Sequence, residues 1–171
     1  MGWEGRRVVV LGAETAVGRA LAQALAEAGA RLALVAARPD AETAFAVQRL
    51  ARRLSRPGQD PILSQAIDGS NEMALRVTAR QMAKALGGLD ALFFCADLGP
   101  ATASALELAC RYYCREMGRA GGGVIVCAGL DLDLEPLAEA CRANNVRVVG
   151  VTGQADAQAL AQEALRLALE R

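Results

Sequence analysis

Short runs of apolar residues alternate along the chain with longer segments in which apolar residues recur every three or four positions. Unbroken apolar runs are typical of strands buried on both faces of a parallel sheet. The longer spacing is typical of amphipathic helices that cover such a sheet. We predict strands over residues 6–11, 31–36, 62–67, 89–95, 124–128 and 146–151. We predict helices over 16–28, 41–54, 101–117, 135–143 and 156–169, and one more that Ser70 or Asn71 caps and that ends at 86.

The regular alternation of strand and helix predicts the fold class. Parallel strands joined by right-handed crossovers place helices on both faces of the sheet. With a glycine turn after the first strand, six such units predict a Rossmann-like three-layer α/β sandwich with strand order 3-2-1-4-5-6. Neither a repeat nor a long linker interrupts the pattern, so we expect residues 1–171 to form a single domain.

The segment Gly12-Ala13-Glu14-Thr15-Ala16-Val17-Gly18 connects the first strand to the first helix. Gly12 allows a tight turn, Gly18 lets the helix pack closely, and the helix N-terminus offers N–H groups to a pyrophosphate. Ala16 stands where a glycine would let the backbone approach the phosphates, and the charge of Glu14 costs about 1 kcal/mol in repulsion. The predicted cofactor contacts in this loop are Gly12, Glu14, Thr15, Ala16, Val17 and Gly18.

Further polar and small residues follow the other strands at the same edge of the predicted sheet. In open α/β sheets, ligands bind beyond the carboxyl ends of the strands, where the strand order reverses. Arg38 follows strand 2, Asp68 and Gly69 follow strand 3, and residues 95–97 end strand 4. We therefore expect these residues to lie on the edge that carries the glycine loop.

Composition excludes several classes of function. The formal net charge is zero, which gives no indication of nucleic acid or an anionic membrane as a partner. No apolar run is long enough to span a bilayer and no signal peptide pattern precedes the first strand, so we expect a cytoplasmic protein. The absence of histidine removes His-based triads, His general bases and most zinc sites, and we predict no metal.

Five cysteines are scattered along the chain without a C-x-x-C pair. This spacing favours small buried side chains over disulfides. Cys110 and Cys114 share one helix face, which leaves open a contact with a partner subunit.

Together these segments resemble the short-chain dehydrogenase/reductase family over nearly the whole chain. The glycine loop is similar to the family's glycine motif, with Ala16 at the second glycine. Asp68-Gly69 stands where the family has an Asp that hydrogen-bonds adenine, and the usual Asn-Asn-Ala-Gly is replaced by Phe94-Cys95-Ala96-Asp97. The resemblance implies nucleotide contacts from Asp68, Gly69, Cys95 and Ala96. Residues 102–117, 122–129 and 145–152 resemble the family's central helix and its fifth and sixth strands.

The catalytic residues that the resemblance implies are missing. A Tyr-x-x-x-Lys motif is excluded because the only lysine is Lys84, which precedes both tyrosines. No serine follows Ser104, so the family's serine on the fifth strand is absent as well. Thr102 stands at the position of the family's functional Asn. Compared with typical members, the chain also lacks parts of the connection after strand 4, of the helix after strand 5 and of the C-terminal substrate region.

Arg38 bears on the choice of cofactor. Members that prefer NAD have an acid at the end of strand 2, where this chain has Ala36. An arginine two residues later suits the 2′-phosphate of NADP, and a plain surface arginine is the alternative. Asp97 brings a second acid near the site. NADP(H) is therefore the cofactor that the resemblance implies, without a metal.

Three functions remain open from the sequence. The first is a catalytically inactive member that acts as a structural or regulatory subunit, associating with itself or an active relative through helices 101–117 and 135–143. We read the first of these helices as apolar almost all round, which would leave one face for a partner. The second is an NADP(H)-dependent oxidoreductase with a non-standard acid such as Tyr112 or Tyr113. The third is a nucleotide sensor without turnover.

Overall fold

The structure is a computed structural model that describes residues 2–153 and 156–170. Its strands are β1 (Arg7–Leu11), β2 (Arg31–Ala36), β3 (Leu63–Ala66), β4 (Ala91–Phe94), β5 (Gly123–Ala128) and β6 (Val146–Val151). Its helices are α1 (Ala16–Glu27), α2 (Ala41–Leu54), α3 (Glu72–Leu86), α4 (Thr102–Arg119), α5 (Glu135–Cys141) and α6 (Ala157–Leu169). The predicted domain 1–171 includes Met1, Gln154, Ala155 and Arg171, which lie outside the described residues.

All six strands pair in parallel in the order β3-β2-β1-β4-β5-β6, which confirms the predicted Rossmann-like fold. β1 lies at the centre, where Leu11 pairs with Val35 of β2 on one side and with Phe94 of β4 on the other. The crevice at the reversal of strand order therefore opens between β1 and β4, next to the loop that follows Leu11.

The sheet separates two apolar cores. One face packs against α1, α2 and α6 through residues such as Leu21, Leu25 and Leu165. The other face packs against α3, α4 and α5 through residues such as Leu75 and Leu106. β1 has side chains buried on both faces, which explains its unbroken apolar sequence.

Polar residues at the first turns determine where several helices begin. The side chains of Thr15, Asp40, Asn71 and Asp156 each accept a hydrogen bond from an N–H three residues later. Asp40 and Asn71 were predicted for this role. In the described part of the chain, no helix combines the length and the hydropathy needed to cross a membrane.

Most predicted bounds differ from the observed ones by one or two residues. β4 is shorter than predicted, since Leu89 and Cys95 are buried but do not belong to the strand. α4 begins after a 3-10 turn over residues 99–101 and continues to Arg119, and α5 ends at Cys141, where a 3-10 turn over residues 142–144 follows.

The prediction that α4 is apolar almost all round was wrong. Glu107, Arg111 and Arg115 are exposed, while Cys110 and Tyr113 are buried within the chain. The sheet, α3 and α5 all pack against α4, so one chain covers most of its apolar surface.

Candidate functional site

The glycine loop between β1 and α1 is tightly packed at both of its glycines. Gly12 has a φ of 100°, and a Cβ atom there would lie 2.4 Å from the backbone nitrogen of Ala96. A Cβ atom on Gly18 would lie 2.2 Å from the carbonyl oxygen of Gly12. Both contacts involve backbone, so neither position can accept a side chain without movement of the loop. The predicted reasons for these two glycines are confirmed.

Thr15 fixes the conformation of the loop and the start of α1. Its Oγ1 donates to the Gly12 carbonyl at 2.9 Å and accepts from the Gly18 N–H at 3.0 Å. The N–H groups of Ala16 and Val17 belong to the first helical turn, where N–H groups have no partner within the helix. These two groups, at the positive end of the helix dipole, are the donors that α1 can offer to an anion.

Arg19 is a basic residue of this loop region that the sequence reasoning missed. It is exposed on the first turn of α1, and its guanidinium donates to the Glu14 carbonyl at 2.5 Å. This contact holds the guanidinium against the loop that precedes α1. The sequence signal for a basic residue at this site was the position of Arg19 directly after Gly18.

Glu14 is turned toward β2. Its Oε1 accepts from the Ala37 N–H at 3.0 Å, and its Oε2 is buried without a hydrogen-bond partner among the described residues. The carboxylate thus lies at the end of β2, on the side of the site where Arg38 follows.

Arg38 crosses from the end of β2 to the loop after β4. Its guanidinium donates to the Asp97 carbonyl at 2.7 Å and remains exposed. A ligand phosphate near Arg38 would compete with this carbonyl for the guanidinium.

Asp68 and Gly69 follow β3 on the same edge. The Asp68 carboxylate accepts from the hydroxyl and the N–H of Ser70, and these hydrogen bonds lower the pKa of the carboxyl. Gly69 is buried, and a Cβ atom there would lie only 2.9 Å from Ala37 and 3.2 Å from Leu98. The ends of β2, β3 and β4 are therefore in close contact here.

Cys95 and Ala96 are buried behind the loop. The Cys95 thiol lies 3.4 Å from the Gly12 carbonyl oxygen, and burial raises its pKa to about 12. Ala96 contributes the backbone against which Gly12 packs. Both residues contact the loop at Gly12, and their side chains are buried. Among the described residues, no group of three or more His, Cys, Asp or Glu side chains is arranged to hold a metal ion.

The sequence profile of the short chain dehydrogenase family matches residues 6–111, which is more than half of the chain. The chain belongs to this family. No curated protein matches it.

Several solved structures of short-chain dehydrogenases share this fold. A short-chain type dehydrogenase/reductase from Mycobacterium marinum is 20% identical, with a TM-score of 0.82 over 98% of this chain and 89% of that chain. A metagenomic short-chain oxidoreductase in complex with NADP is 23% identical, with a TM-score of 0.80 over 99% and 92% of the two chains. A hydroxysteroid dehydrogenase from Escherichia coli is 20% identical, with a TM-score of 0.75 over 98% and 90%.

Both tyrosines of this family member lie on α4. Tyr113 is fully buried, and burial raises the pKa of its hydroxyl. Tyr112 donates to a carboxylate oxygen of Glu72 on α3 at 2.6 Å. Lys84 lies on α3 beside the groove at the amino ends of the strands. The structure does not bring a tyrosine and the lysine together at the site.

Thr102 begins α4 at the carboxyl edge of the sheet. Its hydroxyl donates to the Gly99 carbonyl at 2.8 Å and accepts from the Leu98 N–H at 2.9 Å. It therefore holds the turn after β4, close to the segment that contacts Arg38.

Proposed function

We propose that this short-chain dehydrogenase binds a nicotinamide nucleotide, with a preference for NADP(H), and acts as a catalytically inactive regulatory or structural subunit. The observation that carries the binding part is the loop from Gly12 to Gly18, in which Thr15 caps α1 and Ala16 and Val17 present their N–H groups. A protein complexed with NADP shares the fold, which supports this assignment.

The residues present fit a nucleotide at its phosphate end. Ala16 and Val17 would donate to the pyrophosphate, and Arg19 would add a positive charge beside it. Arg38 would pair with a 2′-phosphate once its contact with the Asp97 carbonyl opens. Asp68 and Gly69 would border the adenine, with Cys95 and Ala96 behind the loop. When bound, the nicotinamide ring would supply hydride chemistry.

Inactivity is proposed because the sequence contains no Tyr-x-x-x-Lys motif and no serine after Ser104. A phenol serves as a general acid near neutral pH only when a nearby cation lowers its pKa. Burial raises the pKa of the Tyr113 hydroxyl. The Arg115 guanidinium lies 5.3 Å from the centroid of the Tyr112 ring, but the Tyr112 hydroxyl donates to the anion Glu72. Neither tyrosine supports the alternative of an NADP(H)-dependent oxidoreductase.

Titration with NADPH and NADH, followed by thermal shift, tests the binding proposal. A site filled to a hundredfold over its Kd adds about 2.7 kcal/mol of stability, which should raise Tm by roughly 5–10 °C. We expect Arg38→Ala to weaken NADPH more than NADH and Arg19→Ala to weaken both. Arg49→Ala, a change on α2 away from the glycine loop, is the matched control. The absence of a shift with either nucleotide at millimolar concentration would overturn the proposal, and turnover of carbonyl substrates would overturn its inactive part.

The subunit role requires an interface, and we propose the face formed by helices 101–117 and 135–143 for a second copy of this chain or an active relative. A groove of about 560 Å³ separates α4 from α5 on this face, lined by small apolar residues and by Glu107, Arg111 and Arg115. Both charge signs on the same surface would suit a symmetric contact, in which each copy offers what the other needs.

Native mass measurement tests this interface. Ala140 is exposed at the groove, so Ala140→Arg should lower the fraction of dimer. Ala46→Arg on the exposed side of α2 serves as the control and should leave the mass unchanged. A wild-type protein that stays monomeric at high concentration, alone and mixed with an active relative, would overturn the interface.

A further inference from the structure

Three of the five cysteines meet between α4 and the end of α5. Cys110 and Cys114 lie one turn apart on α4, and Cys141 is the last residue of α5. The Cys141 thiol lies 4.0 Å from the Cys110 carbonyl oxygen, and the Cys114 thiol lies 3.9 Å from the Cys141 carbonyl oxygen. The chain thus brings three sulfur atoms together, although Cys141 is far from the other two in the sequence.

These three residues line the groove between α4 and α5, although each is buried, with only 2–3% of its surface exposed. The same groove is lined by charges of both signs, from Arg111 and Arg115 and from Glu107 and Asp133. Asn144 donates from its Nδ2 to the Cys114 sulfur at 3.1 Å. All five cysteines are buried, and Cys95 and Cys127 do not line this groove.

The pKa of the Cys141 thiol is lowered, while that of the neighbouring Cys110 thiol is raised. Hydrogen bonds from Cys110 and then Cys114 stabilise the Cys141 thiolate and lower its pKa. For Cys114, Cys95 and Cys127, burial raises the pKa of the thiol. A thiolate is the reacting form of cysteine, so these contacts favour Cys141 as the attacking residue.

We propose that Cys110, Cys114 and Cys141 form a redox modification site, in which hydroperoxides oxidise Cys141 and a disulfide then joins it to Cys110. The Cys141 thiolate attacks a peroxide oxygen, the O–O bond breaks, and the alcohol or water leaves after taking a proton. The resulting sulfenic acid is attacked by the Cys110 sulfur, so that an S–S bond forms, the S–O bond breaks and water leaves with the thiol proton. Two thiols lose two electrons, and the peroxide gains them.

The choice of Cys110 over Cys114 follows from their contacts. The Cys141 sulfur lies 4.0 Å from the Cys110 carbonyl oxygen, whereas the Cys114 sulfur accepts a hydrogen bond from the Asn144 amide. The bond would tie the end of α5 to the middle of α4 within one chain. Such a site needs neither a nucleotide nor a partner, so it is independent of the proposed function.

Treatment of the full-length protein with hydrogen peroxide or cumene hydroperoxide tests the site. After alkylation of free thiols, intact mass should show the loss of two hydrogens and two fewer alkylated cysteines, reversed by a reductant. Peptide mapping should place the bond between Cys110 and Cys141. The same rate at two protein concentrations tenfold apart would show that the disulfide forms within one chain.

Three variants complete the test. Cys141→Ser should abolish both sulfenic acid formation and the disulfide, and Cys110→Ser should leave sulfenic acid trapped at Cys141. Cys114→Ser is the matched control and should keep the Cys110–Cys141 bond. Circular dichroism checks that each variant folds. If a variant does not fold, the peptide map of the oxidised wild type still shows whether the Cys110–Cys141 disulfide forms. Oxidation that yields only intermolecular bonds, a bond to Cys114, or no bond would overturn the proposal.

Discussion

At the scale of single residues, the largest fully buried side chain belongs to Tyr113 on α4. Its hydroxyl has no hydrogen-bond partner within the part of the chain that the structure describes. A buried polar group without a partner costs about 1–3 kcal/mol. The residue therefore contributes packing in the core beside α3 and α4, while its hydroxyl opposes stability.

Tyr113→Phe should stabilise the protein. The change keeps the ring and removes the unpartnered hydroxyl, so we expect the free energy of unfolding to rise by about 1 kcal/mol and Tm by roughly 2–4 °C. Tyr112→Phe is the matched change, and it removes the hydrogen bond to Glu72. It should leave Tm unchanged or lower it slightly. A loss of stability in Tyr113→Phe would contradict the prediction and indicate a water bound to the hydroxyl.

Gly12→Ala should be strongly destabilising. The residue has a φ of 100°, and the new Cβ atom would meet the Ala96 backbone at 2.4 Å. Gly58 also has a positive φ, of 81°, but a Cβ atom there would have no neighbour within 4 Å, so Gly58→Ala isolates the conformational cost. We expect about 1 kcal/mol for Gly58→Ala and roughly 3 kcal/mol or more for Gly12→Ala, measured by urea unfolding. Equal losses of stability in the two variants would show that the loop adjusts to the new Cβ atom without a further cost in free energy.

At the scale of secondary structure elements, Arg7 and Asp90 connect the amino ends of β1 and β4. The backbone N–H and the guanidinium of Arg7 donate to the Asp90 carboxylate, each at 2.9 Å. These hydrogen bonds lower the pKa of the Asp90 carboxyl and raise that of Arg7. Both side chains are about one quarter exposed, which moderates the effect.

Asp90→Asn should lower stability in a pH-dependent way. The carboxyl pKa is lower in the folded than in the unfolded state, so its stabilisation is complete above about pH 4 and is lost as the pH falls through the folded value. We expect a loss of about 1–2 kcal/mol at pH 7 that shrinks as the pH falls below about 4, measured by urea unfolding across pH. Asp60→Asn changes an exposed partner of Arg31 and should have little effect at any pH. A pH-independent loss in Asp90→Asn would contradict the assignment.

Elements were predictable where a local signal marked their ends. α2 has the predicted bounds because Asp40 caps it and its apolar residues follow one helical face. β4 was predicted too long because an apolar run does not show where pairing with β1 and β5 ends. The sequence predicted the glycine loop and its neighbours on the sheet edge. The turn of Glu14 toward Ala37 and the meeting of Cys141 with Cys110 depend on tertiary contacts that residue spacing does not reveal.

At the scale of the whole molecule, the fold of the family persists without the residues of its usual chemistry. The glycine loop and strand order are structural requirements, since Gly12 and Gly18 are needed for backbone packing. A fold does not by itself imply a reaction, because function depends on the groups placed at the site. The loop can therefore be retained for stability alone, and nucleotide titration separates that role from binding.

The two cores should unfold together. They share the central strands, and Trp3, the only tryptophan, packs against Phe93 of β4 with ring centroids 5.5 Å apart in the core beside α1 and α6. Loss of the other core would expose the opposite face of the same strands, so neither layer can keep its structure alone. We expect Trp3 fluorescence and far-ultraviolet circular dichroism to give coincident urea transitions, with one midpoint and one slope. Tyr113→Phe changes only the opposite core, so it should shift both transitions equally, whereas a shift confined to the circular dichroism signal would mean that the layers unfold independently.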